Sequence, residues 1–148
     1  MAHLHAEIRI EAPVEHVWQL FCDVSHWKDW MPWGECSDFS GPVDAVGTTF
    51  VGRMRLVGFE LESLNEVVEV EPQRLYHERS DFGSMDQYGR FEPMGDSTRV
   101  VFDADFELPG KLPGFLMGLL VEAWMQRYMR KMLEDFKDLA EAQVPAHA

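Results

Sequence analysis

The chain has 148 residues, enough for one domain with a substantial buried core. Its 26 acidic side chains against 13 basic ones leave a formal charge of −13, which disfavours binding to nucleic acid or to an anionic membrane surface. No stretch has the length and apolar purity of a membrane span, residues 1–10 lack the pattern of a secretory signal, and Cys22 and Cys36 make no disulfide framework, so the expected setting is cytoplasmic, without stable membrane insertion.

In chain order, residues 3–11 alternate cleanly. Leu4, Ala6, Ile8 and Ile10 share one face and His5, Glu7, Arg9 and Glu11 the other, as in a half-buried strand. Pro13 sits where a first helical residue belongs, and Val14, Val17, Trp18 and Phe21 follow at helical spacing to an end near Asp23. Ser25 is placed to cap a second short helix carrying Trp27 and Trp30, stopped by Pro32. From Glu35 the period changes to two. Strands are expected over 48–57, with Phe50, Met54 and Leu56 on one face, then over 60–70 after a turn at Gly58. A pair over 75–82 and 85–93 turns at Gly83-Ser84, and a last strand spans 98–108 after Gly95-Asp96.

The chain closes with a long helix over 113–143. Val121, Met125, Tyr128, Met132, Phe136 and Leu139 form its apolar stripe, widened by Met129, Leu133 and Ala140. Its first half is oily nearly all round, because Leu116, Leu120 and Trp124 add a second apolar row. Gly118 lies on the stripe, where it leaves room either for a close-packed strand or for a ligand. Serial antiparallel strands with one long amphipathic helix make an α+β layer structure.

Several segments also carry a family likeness. Ile8-x-Ile10-x-Ala12-Pro13-x-Glu15-x-Val17-Trp18, followed by Asp23, Trp27, Trp30 and Pro32, resembles the opening of the START-like, or SRPBCC, superfamily. More narrowly it is similar to the bacterial polyketide cyclase/dehydrase and lipid-transport group. Val46-Gly47 and the junction Val68-Glu69-Val70-Glu71-Pro72-Gln73-Arg74-Leu75 extend the likeness along the chain. The resemblance implies a helix-grip (START/Bet v 1-like) fold, a curved antiparallel sheet wrapped round the C-terminal helix. It also implies an apolar cavity between the two, used across the superfamily for lipids, sterols and polyketides.

Chemistry is less marked. The histidines and cysteines show no zinc-type spacing, and no phosphate loop, nucleotide fingerprint or nucleophile elbow is present, so no metal or cofactor is expected. Acid–base catalysis stays open in two registers. If Leu75 faces inward, so do His77 and Arg79, which become the catalytic candidates; if Tyr76 does, Tyr76 and Glu78 take their place. Arg53 and Arg55 are expected on the outer face.

These readings converge on a protein that buries a hydrophobic small molecule, at roughly 25 cal/mol per Å² of apolar surface before binding costs. The expected cavity lining is Phe50, Met54, Phe91, Phe102, Gly118, Val121 and Met125, with Trp30, Met31 and Trp33 at the mouth. Five tryptophans and nine methionines suit such a surface. The alternatives are a polyketide cyclase, aromatase or dehydratase, and a protein-interaction module whose interior would be sealed. A monomer and a homodimer are both compatible with the sequence.

Overall fold

The computed structural model describes residues 2–31, 34–56, 59–107 and 114–143, with backbone alone for residues 56, 59 and 114–118. Strand β1 (Ala2–Ile10) is followed by helix α1 (Val14–Cys22), a single 3₁₀ turn at Val24–His26 and the one-turn helix α2 (Trp27–Trp30). Six strands come next: β2 (Gly34–Ser37), β3 (Thr49–Leu56), β4 (Phe59–Glu71), β5 (Leu75–Ser80), β6 (Met85–Met94) and β7 (Ser97–Phe106). Helix α3 (Gly114–Ala142) ends the fold. The seven strands form one antiparallel sheet in the order β1-β7-β6-β5-β4-β3-β2, wrapped as a half-barrel around α3.

Local chemistry explains most boundaries. Pro13 stands one residue before α1, in extended backbone, and its carbonyl accepts from the His16 and Val17 N–H groups. The cap after α1 is Asp23 and not Ser25: its carboxylate accepts from the Ser25 N–H at 3.1 Å and lets the chain turn into α2. Gly83 and Ser84 take positive φ in the β5–β6 connection, and Gly95 does so between β6 and β7. A side chain on Gly83 would meet the Glu107 carbonyl at 2.4 Å, so this turn requires glycine. The expected turn residue Gly58 and the stop residue Pro32 lie outside the described residues.

Strand β1 would leave an open edge, and α3 closes it. Gln126 accepts from the His5 N–H at 3.3 Å and donates to the His5 carbonyl at 2.6 Å. Further along, Lys137 donates to the Arg9 carbonyl and Glu141 accepts from the Glu11 N–H, both at 2.8 Å. Polar side chains of the helix thus do what a neighbouring strand would do, and the edge is protected against further pairing.

The buried stripe of α3 runs through Val121, Met125, Met129, Leu133, Phe136 and Ala140. Tyr128, Met132 and Leu139, expected at its centre, flank it half-buried. Leu119 and Leu120 at the oily end are 47% and 60% exposed. Under the other end of the helix lies an aromatic cluster centred on Phe21, whose ring contacts Trp18, Trp27, Trp30, Tyr76, Phe91, Phe102 and Phe136 at 4.9–6.3 Å between centroids. Trp27 sends its indole N–H to the Phe21 carbonyl at 2.6 Å. Among the described residues no helix is long and apolar enough to cross a membrane.

Because Phe21 joins α1, the sheet and α3, Phe21→Ala should cost about 3–5 kcal/mol. That loss should lower the thermal midpoint by roughly 10 °C or more in a circular-dichroism melt. A drop of only a degree or two would show that the cluster is not the mechanical centre of the core.

Candidate functional site

Among the described residues, neighbouring spaces of about 140 and about 50 Å³ lie between sheet and helix. The larger is walled by Leu4, Phe50, Met54, Met85, Ala104, Met125, Met129 and Met132, with Cys36, Ser63, Asn65, Glu78, Gln87 and Tyr128 as polar or polarizable groups. The smaller is bordered by Phe21, Trp27, Trp30, Met31, Tyr76, Glu78, Gln87 and Phe102. Trp27, Met31, Glu78, Gln87, Met129 and Met132 border both spaces. The larger one reaches solvent where Glu35, with 71% of its side chain exposed, forms part of the wall.

Strand register decides what faces in. On β5, Tyr76 pairs across to Gly89 and thence Phe102, and Glu78 pairs to Gln87 and thence Ala104. Those rows are the cavity wall, so Tyr76, Glu78 and Ser80 point inward. His77 and Arg79 point the other way. They meet Asp86 on the outer face, His77 Nε2 at 2.8 Å from its Oδ1 and Arg79 Nε donating at 3.2 Å, while His77 stacks on Tyr88 at 4.1 Å. The register that would have made His77 and Arg79 catalytic is therefore not adopted, because Tyr76 takes the place against Phe21. Arg53, expected on the outer face, lies beside Glu35 and Glu62 and, with Glu35, also borders the larger space.

Glu78 is an ionisable group that borders both spaces. Its Oε2 accepts from the Tyr76 hydroxyl at 2.8 Å. Burial pushes its carboxyl up to about 7, against the opposing effect of the tyrosine hydrogen bond. Burial, then the nearby Glu78 charge, hold the Tyr76 hydroxyl well above its ordinary range. The Cys36 thiol is likewise pushed up to about 12, first by burial and then by Glu78, so it is a packing group and not a nucleophile. Trp30, which also borders the smaller space, is buried, and its indole N–H finds no hydrogen-bond acceptor among the described residues.

Of the lining expected from sequence, Phe50, Met54 and Met125 border the larger space, Phe102 and Trp30 the smaller, and Met31 both. Trp30 is not at a mouth: it is 1% exposed and packs on Phe136 at 5.0 Å. Phe91 and Val121 border neither space. Phe91 is taken up by Trp18 and Phe21 at 5.1 and 5.2 Å, and Val121 by the buried core. Trp33 and the surroundings of Gly118 lie outside the described residues. Sequence reasoning passed over Gln87, Ser63, Asn65 and Cys36. Once β2 through β6 are paired, alternation from Phe50 and Glu78 finds them. Among the described residues, the side chains grouped closely enough to hold a metal ion are His3, His5 and Asp103, which strand alternation sets opposite Leu4 and Ala104.

Solved structures share this architecture. A Thermus thermophilus protein, TTHA0849, superposes with a TM-score of 0.83 at 25% identity, covering 95% of this chain and 98% of its own. The Zhui aromatase/cyclase of Streptomyces sp. R1128 gives 0.79 at 20% identity, over 98% and 96% of the two chains. Ginseng major latex-like protein 151, from Panax ginseng, gives 0.69 at 15% identity, over 94% and 97%. The search of curated protein sequences finds no match. Residues 1–141 match the model of a family described as polyketide cyclase / dehydrase and lipid transport, and the chain belongs to that family.

Proposed function

We propose that this protein binds a hydrophobic molecule of one or two rings that carries an oxygen. A cavity-forming fold of this superfamily typically holds a hydrophobic small molecule. The observation that carries the narrower reading is the shape and chemistry of the joined spaces. Apolar wall surrounds most of the larger one, and cavities on the order of 150 Å³ accept a benzene-sized guest. Glu78 and Gln87 border both spaces. Glu78, near neutrality, can donate when protonated and accept when ionised, and a ligand oxygen reaching into the smaller space would satisfy the Trp30 N–H. The methionines of the larger wall can adjust to a guest wider than the resting space. The interior is not sealed, which removes the argument for a pure interaction module.

A second reading has a specific observation in its favour. A buried carboxyl at about 7 beside a tyrosine is suited to proton transfer at neutral pH, and the Streptomyces relative is an aromatase/cyclase. In a dehydration, Glu78 would take the proton α to a carbonyl and return it to the departing β-hydroxyl, which leaves as water. Turnover of a poly-β-ketone or β-hydroxyketone that is lost in Glu78→Gln while binding persists would establish this reading. Equal turnover in the variant would end it.

The binding test is a titration with 2-naphthol and naphthalene, followed by tryptophan fluorescence. Saturable micromolar binding is expected, tighter for 2-naphthol. Met129→Trp, which adds bulk where both spaces have a wall, should weaken it at least about tenfold while leaving the thermal midpoint within a few degrees. No saturable binding of either probe, with the variant indistinguishable, would sink the proposal.

Glu78 also sets a pH dependence. Its folded value lies above the ordinary 4.5, so the contribution to stability is complete below about pH 4.5 and is lost as pH rises toward 7. Above that range Glu78→Gln should be the more stable protein, by up to about 3 kcal/mol, and below it the two should converge. Denaturant midpoints measured across the range give the answer; parallel profiles would mean that Glu78 ionises as freely as in water.

A further inference from the structure

The outer face of the sheet carries a cluster that the cavity does not explain. Alternation along β1 sends His3 and His5 to the same side, and the register sets His3 opposite Asp105 and His5 opposite Asp103. Two independent surface ion pairs would leave each histidine with its own aspartate. Instead, Asp103 Oδ1 is shared, lying 2.7 Å from His5 Nδ1 and 3.4 Å from His3 Nε2. One donor atom from each of His3, His5 and Asp103 falls within 4.8 Å of the others. An ion bonded to nitrogen and oxygen at about 2.0–2.2 Å in tetrahedral geometry holds its donors roughly 3.3 Å apart. The His3–Asp103 spacing already has that value, and the His5–Asp103 contact needs to open by about half an ångström.

Each of these side chains is also steadied from behind. His3 Nδ1 lies 2.6 Å from Asp105 Oδ1, which leaves Nε2 as the free ring atom. His5 Nε2 lies 3.5 Å from Glu7 Oε2. Asp103 Oδ2 accepts from Arg90 at 3.0 Å, leaving Oδ1 for the two imidazoles. Gln126 grips the His5 peptide on both its N–H and its carbonyl. Carboxylates behind imidazoles fix the tautomer and raise the basicity of the ligating nitrogen, the arrangement found in metal sites. The ligands stand on two paired strands, not on loops.

We propose that His3, His5 and Asp103 form a binding site for a divalent transition-metal ion of the zinc class, with Asp105, Glu7 and Arg90 as positioning residues. Two imidazoles and one carboxylate suit such an ion and discriminate against magnesium and calcium, which prefer oxygen donors. The chain's formal charge of −13 further favours cation accumulation at its surface.

The test is calorimetric titration of the untagged full chain with Zn²⁺ at about pH 7.5, with Mg²⁺ in parallel. One zinc per chain with micromolar affinity is expected, and no magnesium binding at the same site. His3→Ala and His5→Ala should each weaken zinc by about tenfold or more, since each removes one ligand of three. Both side chains are about half exposed, so the fold should survive, as a melt without metal will show. His26→Ala, which removes a different histidine beside Asp23 and Asp29, should leave zinc binding unchanged. Co²⁺ should report a site of low coordination number in its visible spectrum. Zinc binding undiminished in the His3→Ala/His5→Ala double variant, equal binding of magnesium, or no saturable zinc binding by ~100 µM would each overturn the proposal.

Discussion

A curved sheet and a single helix cannot touch everywhere, and the way this chain fills the gap governs the rest of the molecule. At one end the rings around Phe21 fill it, drawn from α1, α2, β5, β6, β7 and α3. Flat, rigid rings in edge and tilted contact pack closely there and leave only the smaller space of about 50 Å³. Toward the other end the wall passes to Met54, Met85, Met125, Met129 and Met132, together with Gly52 and Ala104. Flexible and small side chains there fail to close the distance. The larger of the two spaces thus opens where methionine and small residues take over much of the wall from the rings.

The same division accounts for Glu78. A carboxyl taken out of bulk water costs free energy when ionised unless partners meet it. Here Tyr76 supplies one hydrogen bond, Gln87 stands across the strand pair, and the remaining lone pairs face the cavity. That is too little to hold the group ionised as water would, and too much for a wholly apolar site, so the carboxyl comes to rest near neutrality. Stability is traded for a group that can exchange a proton or a hydrogen bond with whatever enters. Natural proteins retain such tension where a ligand or a reaction uses it.

Much of the fold was legible because it rests on periodicity. The clean alternation from Leu4 to Ile10, the helical spacing of Val14, Val17, Trp18 and Phe21, and the stripe of α3 each encode one buried face. The candidate site was legible only in part. Between Leu75 and Asp81 both registers are chemically plausible along the strand itself, since each presents one large apolar or aromatic residue followed by polar ones. What decides is lateral: Tyr76 meets Phe21, Gly89 makes room opposite it, and Phe102 completes the row. Trp30 misled for a related reason. With Met31 and Trp33 it reads as a cavity mouth, yet Phe136 arrives from α3 to cover it. Contacts between residues a hundred positions apart leave no local trace.

The histidine cluster shows that limit from the other side. A search for metal ligands by spacing along the chain looks for fingers and loops, whereas alternate residues of one strand become neighbours only as the sheet forms. His3 and His5 flank Leu4, whose side chain lines the cavity on the opposite face. Asp103 and Asp105 flank Ala104 in the same way. One register therefore builds both features at once: the pairing that sets Leu4 beside Ala104 in the cavity wall also sets the two histidines beside the two aspartates outside. Gln126 of α3, clamped to the His5 peptide, ties that register to the helix that forms the cavity's other wall. A single slip of β1 would expose Leu4, bury the histidines and break both hydrogen bonds to Gln126, so cavity and cluster stand or fall on the same alignment.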